Sequence, residues 1–359
     1  MLKKILSDDL PRSKLLSGLL LLLVIYLLSA PFLFSGARSL NVAATISIFL
    51  VLVASYDLLI GYCGIVSFAH GMFYAIGSYG VAIALRTQGP NWSALALGAG
   101  AAMALSAVLS LLIALVSLRV KAIFYTMTTL AVASAFGALV LRLSSFTGGD
   151  DGINFRLPER LTPGHLYFET ELLGVALNGK LLAYYLVLLC SALLFLLMLR
   201  VVNSRFGRVL EALRENEFRA EAIGYQTLHY RLAANCLAAV LASCAGILMA
   251  VWLRYVGPQT TVSFTVMLNI LLMCVIGGLG TIYGAVIGVL VFVVAENYIQ
   301  VGLHAISAGV ASVPLLAGLF HPDRWLLWFG AIFVLSVYFF PAGIVGKLRE
   351  KRIRLGTTT

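Results

Sequence analysis

The feature that most constrains this chain is a series of long apolar runs separated by short polar connections. A helix of about 20 apolar residues is long enough to cross the hydrocarbon core of a bilayer. Charged residues make up only 11% of the chain, against roughly 25% in soluble proteins. The sequence therefore predicts an all-α, polytopic membrane protein with about ten transmembrane helices. We place the spans at 15–34, 41–60, 65–85, 92–118, 122–141, 181–201, 232–253, 262–278, 284–301 and 325–340.

The composition excludes several classes of protein. With 61% apolar residues among 359, the chain has too little polar surface to cover a water-soluble particle. This rules out a cytosolic enzyme, a secreted disulfide scaffold and a disordered chain. The five cysteines lie in or beside apolar runs without metal-ligand spacing, and we interpret them as small buried residues. The net charge of +10 fits basic loops at a membrane surface better than a nucleic-acid partner.

The distribution of Lys and Arg predicts the orientation of the spans, because basic residues accumulate on cytoplasmic loops. With the N-terminus inside and ten alternating spans, seventeen of the 25 Lys and Arg residues fall on the cytoplasmic side. We expect a single membrane-embedded domain over 1–359 with both termini cytoplasmic. Outside the bilayer it would have an extracytoplasmic loop at 142–180, a cytoplasmic loop at 202–230 and a basic cytoplasmic tail at 341–359. The stretch 303–323 would be an interfacial or re-entrant piece on the outer side.

Glycine clusters twice along the chain, and two interpretations are open. Small residues let helices pack closely. Alternatively, the helices are interrupted within the membrane, where protein or water must satisfy the freed backbone groups, and such segments in both halves of a transporter point to its transport path. The clusters are Gly61, Gly64, Gly71, Gly77 and Gly80, and Gly277, Gly278, Gly280, Gly284 and Gly288.

Four polar residues fall inside predicted spans, namely Asp57, His70, Asn269 and Glu296. An ionisable residue in a span is a candidate functional residue, because burying its charge in hydrocarbon is costly. A lone His between glycines, such as His70, is more often a hydrogen-bonded packing residue. Asp57 is compatible with a position at the cytoplasmic interface. The pattern alone leaves the roles of Asp57 and Glu296 open.

The sequence carries no motif of an enzyme active site. Residues 174–181 match a phosphate-binding loop except that Leu181 stands where Ser or Thr would hold Mg²⁺. We therefore expect neither catalysis nor a bound cofactor or metal. If transport is active, its energy comes from a partner or from an ion gradient.

The cytoplasmic loop predicts one amphipathic helix over 207–224. At helical spacing an apolar stripe forms along one side, and Phe218 points about 180° away, beside Glu211, Arg214 and Glu215. Such a helix would pack on its own protein and offer a charged face with one aromatic side chain to a partner. A helix on the lipid surface or a solvated linker is the alternative. The stripe consists of Val209, Ala212, Leu213, Asn216, Ala220 and Ile223.

Four separated blocks of sequence stand out in this chain. They are Glu221-Ala222-Ile223-Gly224; Gly61-Tyr62-Cys63-Gly64 with Ser67-Phe68-Ala69-His70-Gly71; Thr147-Gly148-Gly149-Asp150-Asp151-Gly152; and Gly277-Gly278-Leu279-Gly280 with Tyr283-Gly284 and Gly288. The block at Glu221 is similar to the EAA loop of ABC importer permeases. Together, over roughly 40–345, the four blocks resemble the permeases of branched-chain amino acid ABC transporters, and within them the LivM type.

The resemblance implies a permease subunit of an importer that moves branched-chain, aliphatic amino acids across the bacterial cell (inner) membrane. Its partners would be two ATP-binding cassette ATPase subunits, a second related permease subunit, an extracytoplasmic substrate-binding protein, the amino acid and membrane lipid. Alternatives are a urea or short-amide permease of the same family and, from another class, an ion-coupled secondary transporter. The secondary transporter would need an ionisable relay, for which Asp57, His70 and Glu296 are scattered candidates. It would not need a charged cytoplasmic helix.

The resemblance also implies which residues serve each task. The inner loop would couple to the ATPases, the Gly-rich segments would line the translocation path, and the loop Thr147–Gly152 would lie near the binding protein. The coupling residues would be Glu211, Arg214, Glu215, Phe218, Glu221, Ala222 and Gly224. The path residues would be Gly61, Gly64, Ser67, His70, Gly71, Gly277, Gly278, Gly280 and Gly284.

Overall fold

In the computed structural model, the described residues are 14–33, 37–117, 122–165, 178–309, 320–324 and scattered positions between 327 and 345. Apart from turns and one two-residue ladder, regular structure in these residues is helical, so the predicted all-α class is confirmed. The chain divides into two units, 1–271 and 272–359, and each is described by itself.

The helices follow one another with short connections. The long helices that lie within the first unit are α1 (Lys14–Leu33), α2 (Ala37–Asp57), α3 (His70–Gln88), α4 (Trp92–Ser117), α5 (Ala122–Arg142), α7 (Gly179–Val202) and α10 (Thr227–Leu253). The shorter helices are α6 (Ser144–Thr147), α8 (Arg205–Glu215), α9 (Glu217–Ala222) and α11 (Pro258–Thr261). Helix α12 (Phe264–Gly277) begins in the first unit and ends in the second, which also holds α13 (Ile282–Gly309).

Short elements connect these helices. They are a π-helical turn at Leu58–Tyr62, 3-10 turns at Gly149–Asp151, Glu159–Leu161 and Pro322–Arg324, and the strands β1 (Ile153–Asn154) and β2 (Tyr255–Val256).

Among the described residues, seven helices are long and apolar enough to cross a membrane. The chain is therefore polytopic, while the expectation of about ten spans stays a prediction. Helices α1 and α3 coincide with two further predicted spans, and the tenth, 325–340, lies largely outside the described residues. The seven cover Arg38–Tyr62, Trp92–Ser117, Ile123–Arg142, Gly179–Val202, Thr227–Leu253, Pro258–Gly277 and Ile282–Ile299.

Helices α3 and α10 form the centre of the first unit. Thirteen of the 19 residues of α3 and sixteen of the 27 residues of α10 are buried. Helix α4 packs on both of them, and α2 and α7 pack on α10. Because protein rather than lipid surrounds α3, that helix tolerates polar and small residues. This explains why α3 is absent from the seven strongly apolar helices.

The two central helices cross at glycines. A Cβ built at Gly77 would overlap the carbonyl of Ser243, and one built at Gly246 would overlap the carbonyl of Tyr74. The hydroxyl of Ser78 donates to the carbonyl oxygens of Gly246 at 2.9 Å and Tyr74 at 3.1 Å. The backbones therefore touch at this crossing, and Gly77 serves the close packing that was one of the two interpretations of its cluster.

Helix α4 separates small residues from large ones. Its small residues face α3 and α10, where a Cβ at Gly80 would lie 2.7 Å from the Cβ of Ala102. The side-chain amide of Asn235 on α10 donates to the carbonyl oxygen of Ser110 at 3.0 Å. Small residues at this spacing let membrane helices approach closely, while outward side chains such as Leu112 are exposed for contact with lipid. The stripe comprises Ala94, Gly98, Ala102, Ser106, Ser110, Ala114 and Ser117.

Contacts at the two ends of the first unit agree with alternating spans. At one end β1, which follows α5, pairs antiparallel with β2, which follows α10. At the other end the side chain of Arg214, in the loop after α7, donates a hydrogen bond to the carbonyl oxygen of Gly61, beyond α2. Segments outside the bilayer that touch each other lie on the same side of the membrane. The predicted alternation of spans likewise puts β1 and β2 on one side, and Arg214 and Gly61 on the other.

The second unit contains the end of α12, a tight turn and α13. Gly278 and Gly280 in this turn have φ of +113° and +77°, a region that favours glycine. Helix α13 continues to Gly309, so residues 303–309 of the expected interfacial or re-entrant piece are helical, and its placement stays a prediction. Polar residues such as His304 lower helix propensity only slightly and do not end a helix as proline does. Residues 310–319, most of the tail at 341–359 and positions 166–177 of the outer loop lie outside the described residues.

The helix crossing yields a prediction about stability. Gly77→Ala places a methyl group against the backbone of α10, and we expect it to lower the stability of the purified protein by about 2 kcal/mol. Gly100→Ala is the matched control, because a Cβ at Gly100 on α4 meets no atom within 4 Å and alanine favours a helix. Thermal unfolding in detergent measures both variants. Equal midpoints for Gly77→Ala and the wild type would contradict the crossing.

Candidate functional site

The chain is interrupted between α2 and α3, within the first glycine cluster. Helix α2 runs into the π-helical turn Leu58–Tyr62, and the segment Cys63–Ala69, here called the connecting segment, is not helical. Gly64 has φ +71°, which favours glycine because a Cβ is strained there. The predicted interruption is therefore present at Gly61 and Gly64, whereas Gly77 and Gly80 pack inside a regular helix.

Side chains satisfy the backbone of the connecting segment. On α5, the hydroxyl of Thr126 donates to the carbonyl oxygen of Val66 at 3.1 Å, and the hydroxyl oxygen of Thr129 accepts from the N–H of Phe68 at 3.1 Å. The Ile65 N–H donates to the carbonyl of Leu59 at 3.0 Å. Non-helical backbone at membrane depth needs such partners. The two threonines of α5 therefore allow the interruption.

His70 joins the start of α3 to α2. It is fully buried, and its Nε2 lies 2.9 Å from Ser55 Oγ and 3.3 Å from the carbonyl oxygen of Leu52. The Ser55 hydroxyl itself donates to Leu52 O at 2.8 Å, so this network assigns the proton of His70 to Nε2. Its ring lies 5.2 Å from that of Tyr56. These contacts match the packing role that the sequence left open.

A small cleft of about 90 Å³ lies beside the connecting segment. Of the predicted path residues, Gly71 lines this cleft. Ser67 and His70, which are close to Gly71 in the sequence, are buried. The lining is apolar except for two hydroxyl groups and backbone. It consists of Phe68, Gly71, Met72, Leu130, Ala133, Ser134, Gly137, Val262, Ser263, Phe264 and Met267.

The second glycine cluster forms a closed hairpin. A Cβ at Gly277 would overlap the carbonyl of Gly284, and one at Gly288 would overlap the carbonyl of Met273. Gly277, Gly284 and Gly288 thus bring α12 and α13 into backbone contact, as in the close-packing interpretation. Gly278 and Gly280 make the turn between them. The sequence also assigned four of these glycines to the path, and that role stays a prediction.

The inner loop contains two helices, so the prediction of one helix over 207–224 is wrong. Helix α8 ends at Glu215, and Asn216 takes an extended conformation with φ −159° and ψ 99°. The side-chain oxygen of Asn216 accepts from the N–H of Arg219 at 2.9 Å and caps α9. Asparagine favours helix caps over helix interiors because its side chain competes for backbone hydrogen bonds.

The break at Asn216 also divides the predicted apolar stripe. Val209, Leu213 and Ala220 are buried, whereas Ala212, Asn216 and Ile223 are exposed. Residues on either side of a helix break no longer share one helical phase. The predicted stripe therefore holds at Val209, Leu213 and Ala220 but fails at Ala212, Asn216 and Ile223.

The second half of the loop exposes a group of apolar side chains. Phe218 is 82% exposed, Ile223 71% and Tyr225 41%, and we call these three residues the exposed patch. Gly224 has φ +100°, which lets the chain turn toward α10. Large exposed apolar groups in a protein mark interaction surfaces. The other predicted coupling residues Glu211, Arg214, Glu215, Glu221 and Ala222 are exposed as well.

Ion pairs and hydrogen bonds hold the exposed patch in place. Glu217 pairs with Arg231 through two contacts of 2.5 Å and 3.0 Å. The hydroxyl of Thr227 donates to Glu221 Oε1 at 2.8 Å, and the rings of Tyr225 and Tyr230 lie 5.9 Å apart. A six-residue helix is marginal alone, so these contacts from α10 fix α9.

The outer loop after α5 is compact around three glycines. Gly148, Gly149 and Gly152 have φ of +76°, +60° and +71°, which accounts for the glycine spacing in this block. The Thr147 hydroxyl donates to the carbonyl oxygen of Val140 at 2.6 Å. Asp150 and Asp151 are exposed.

The remaining polar residues of the predicted spans do not converge on a metal site. Asp57 is fully buried at the end of α2. Glu296 on α13 is exposed and Asn269 on α12 is partly buried. Within the described ranges, no group of three His, Cys, Asp or Glu residues is arranged to hold a metal ion.

Comparison with known proteins gives one family match. The family described as branched-chain amino acid transport system, permease component, matches residues 38–337. This match covers more than half of the chain and includes both glycine clusters and the inner loop. No solved structure matches the chain.

Individual relatives are more distant. The high-affinity branched-chain amino acid transport permease LivM of Salmonella typhimurium is 26% identical over 295 residues, which cover 78% of this chain and 68% of the relative. LivM of Escherichia coli K12 is 25% identical with the same coverage. LivH of Escherichia coli K12, a permease of the same transport system, is 23% identical over 331 residues, which cover 91% of this chain and all of LivH.

Proposed function

This chain belongs to the permease component family of branched-chain amino acid transport systems, and we propose that it is one of two related membrane subunits of an ATP-driven importer. It is a transport component and not an enzyme. The importer moves branched-chain, aliphatic amino acids, as the names of its relatives indicate for those proteins. Two ATP-binding cassette ATPases supply the energy, and an extracytoplasmic binding protein delivers the substrate.

The exposed patch is the observation that carries the ATPase proposal. Phe218, at 82% exposure, would weaken solubility unless a partner covers it, and charged residues surround it on both inner-loop helices. Aromatic side chains at the centre of an interface often account for much of the binding energy. The patch therefore meets an ATPase subunit, together with Glu211, Glu215, Glu221 and the turn at Gly224.

We assign the translocation path to the glycine-rich segments. In the first unit, Gly61, Gly64, Ser67, His70 and Gly71 belong to the interruption or adjoin it, and the apolar cleft at Gly71 suits an aliphatic side chain. In the second unit the hairpin with Gly277, Gly278, Gly280 and Gly284 contributes. Both assignments rest on the interruption of regular helix within strongly apolar surroundings.

We place the chain in the bacterial inner membrane with both termini in the cytoplasm. The excess of Lys and Arg on the side of the inner loop supports this orientation. The inner loop then faces the ATPases, while β1, β2 and the loop Thr147–Gly152 face the binding protein on the other side.

The orientation predicts the accessibility of introduced cysteines. In a variant that lacks the native cysteines, His165→Cys should react with an impermeant maleimide from the outside of intact cells. Phe218→Cys should react only after the membrane is opened. Labelling of both positions from the same side would contradict the proposed orientation.

The exposed patch predicts a specific binding defect. Phe218→Ala should weaken attachment of the ATPases by about 30-fold, because a buried interface aromatic contributes about 2 kcal/mol. The permease should still insert, since Phe218 lies outside the spans. Phe146→Ala is the matched control, because Phe146 is 62% exposed at the opposite end of the unit. Co-purification and uptake in vesicles measure the effect, and unchanged attachment of the Phe218 variant would remove the main support for this surface.

The cleft predicts a block of transport without loss of assembly. A Cβ at Gly71 would lie 3.6 Å from Met267 Cβ, so the first carbon of Gly71→Leu fits and the others fill the cleft. Uptake should fall below a tenth of the wild-type rate. A tenfold loss corresponds to destabilising the transport-competent state by roughly 1.4 kcal/mol. Gly100→Leu, which points into open space, is the control. Normal uptake by a well-folded Gly71→Leu protein would exclude the cleft from the path.

A further inference from the structure

Two arginines of the inner-loop region reach the connecting segment. The guanidinium of Arg214, near the end of α8, donates a hydrogen bond to the carbonyl oxygen of Gly61. The aliphatic part of the same side chain covers Gly64, where a built Cβ would lie 3.3 Å from Arg214 Cγ. Arg214 therefore contacts the interruption at its first residues. The side chain is also exposed, so its predicted contact with an ATPase stays a prediction.

The second arginine attaches the other inner-loop helix. Arg231, at the start of α10, lies beside the thiol of Cys63 and pairs with Glu217 of α9 at 2.5 Å. Cys63 is 1% exposed. Both α8 and α9 thus connect to the same few residues after α2.

The far end of the connecting segment lies at the cleft. Phe68 lines the cleft, and its ring centroid is 6.0 Å from that of Phe264 at the start of α12. Its backbone is held by Thr129 of α5. A continuous series of contacts therefore runs from the inner-loop helices through Cys63–Phe68 to the cleft.

The hydrogen bond from Arg214 to the carbonyl oxygen of Gly61 is of a strong type. The carbonyl of Gly61 lies at the C-terminal end of a helix, where positive charge is favourable, and a charged donor makes a stronger hydrogen bond than a neutral one. Gly61 is buried, so removal of Arg214 leaves its carbonyl oxygen without this donor. Loss of such a bond destabilises the position of the connecting segment.

We propose that Arg214 is a positioning residue that fixes the connecting segment to α8, so that displacement of the inner loop by an ATPase is transmitted to Phe68 and the cleft. This inference rests on the proposed function. It assigns contact with the ATPase to the exposed patch and transmission of the movement to Arg214. The sequence placed Phe218 and Arg214 in one group of coupling residues.

The test separates these two tasks in the complete transporter, reconstituted in vesicles with its ATPases, second permease and binding protein. Arg214→Ala should keep the ATPases attached within twofold of wild type and lower the uptake per ATP hydrolysed by about tenfold, as expected for loss of one charge-assisted hydrogen bond. Arg214→Lys retains a donor and should give an intermediate ratio. Arg208→Ala is the matched control, because it removes one exposed positive charge from the same helix.

A second measurement reports on the connecting segment itself. With Cys190, Cys236, Cys244 and Cys274 replaced by serine, Cys63 is the single thiol of the chain. Arg214→Ala should raise its rate of reaction with N-ethylmaleimide at least tenfold, while Arg208→Ala should leave the rate unchanged. This measurement uses the purified permease and needs no ATPase.

The outcomes distinguish the inference from the proposed function. A wild-type ratio of uptake to hydrolysis in Arg214→Ala would overturn the inference, and so would loss of the ATPases in proportion to uptake. If Arg214→Ala does not fold, Arg214→Lys decides the question. The inference would be overturned if this variant loses the ATPases but keeps the wild-type ratio of uptake to ATP hydrolysis and the wild-type rate of Cys63 reaction with N-ethylmaleimide. Failure of the wild-type permease to bind any ATPase would count against the proposed function, and the reactivity of Cys63 would still decide whether Arg214 holds the segment.

Discussion

The first unit depends on the backbone contact between α3 and α10. At Gly77 and Gly246 no side-chain atom separates the two helices, and the Ser78 hydroxyl bridges them. With α10 fixed in this way, Arg231 and Thr227 at its start are placed to hold α9 by Glu217 and Glu221. The position of the inner loop therefore follows from a helix crossing that lies many residues away.

A second constraint acts at the interruption after α2. Backbone groups that leave a helix in apolar surroundings need partners. The side-chain partners here come from two distant parts of the chain: Arg214 from α8, and Thr126 and Thr129 from α5. The interruption is thus stable because these two helices converge on it, and the segment is sensitive to movement of either.

The sequence was sufficient for features that depend on composition or short spacing. The long apolar runs indicated the helices, and the two glycine clusters contained the interruptions at Gly64 and Gly278. The sequence could not show that Gly64 lies in the interruption whereas Gly77 lies at a helix crossing. That difference depends on which atoms, distant in sequence, contact each glycine. The sequence also missed the break at Asn216, which looked like one position of a stripe. The signal present was Asn followed by Glu217, a pattern of helix starts.

The short length of α9 limits how permeases of this kind can be recombined. A synthetic peptide with only residues 217–222 would not be helical in water, and it would compete poorly for the surface that the folded loop binds. A chimera that exchanges partners between two transporters would need the whole segment from Ser204 to Arg231, with both of its attachments. Transfer of the Glu221–Gly224 block alone would carry the sequence of the motif but not its folded conformation.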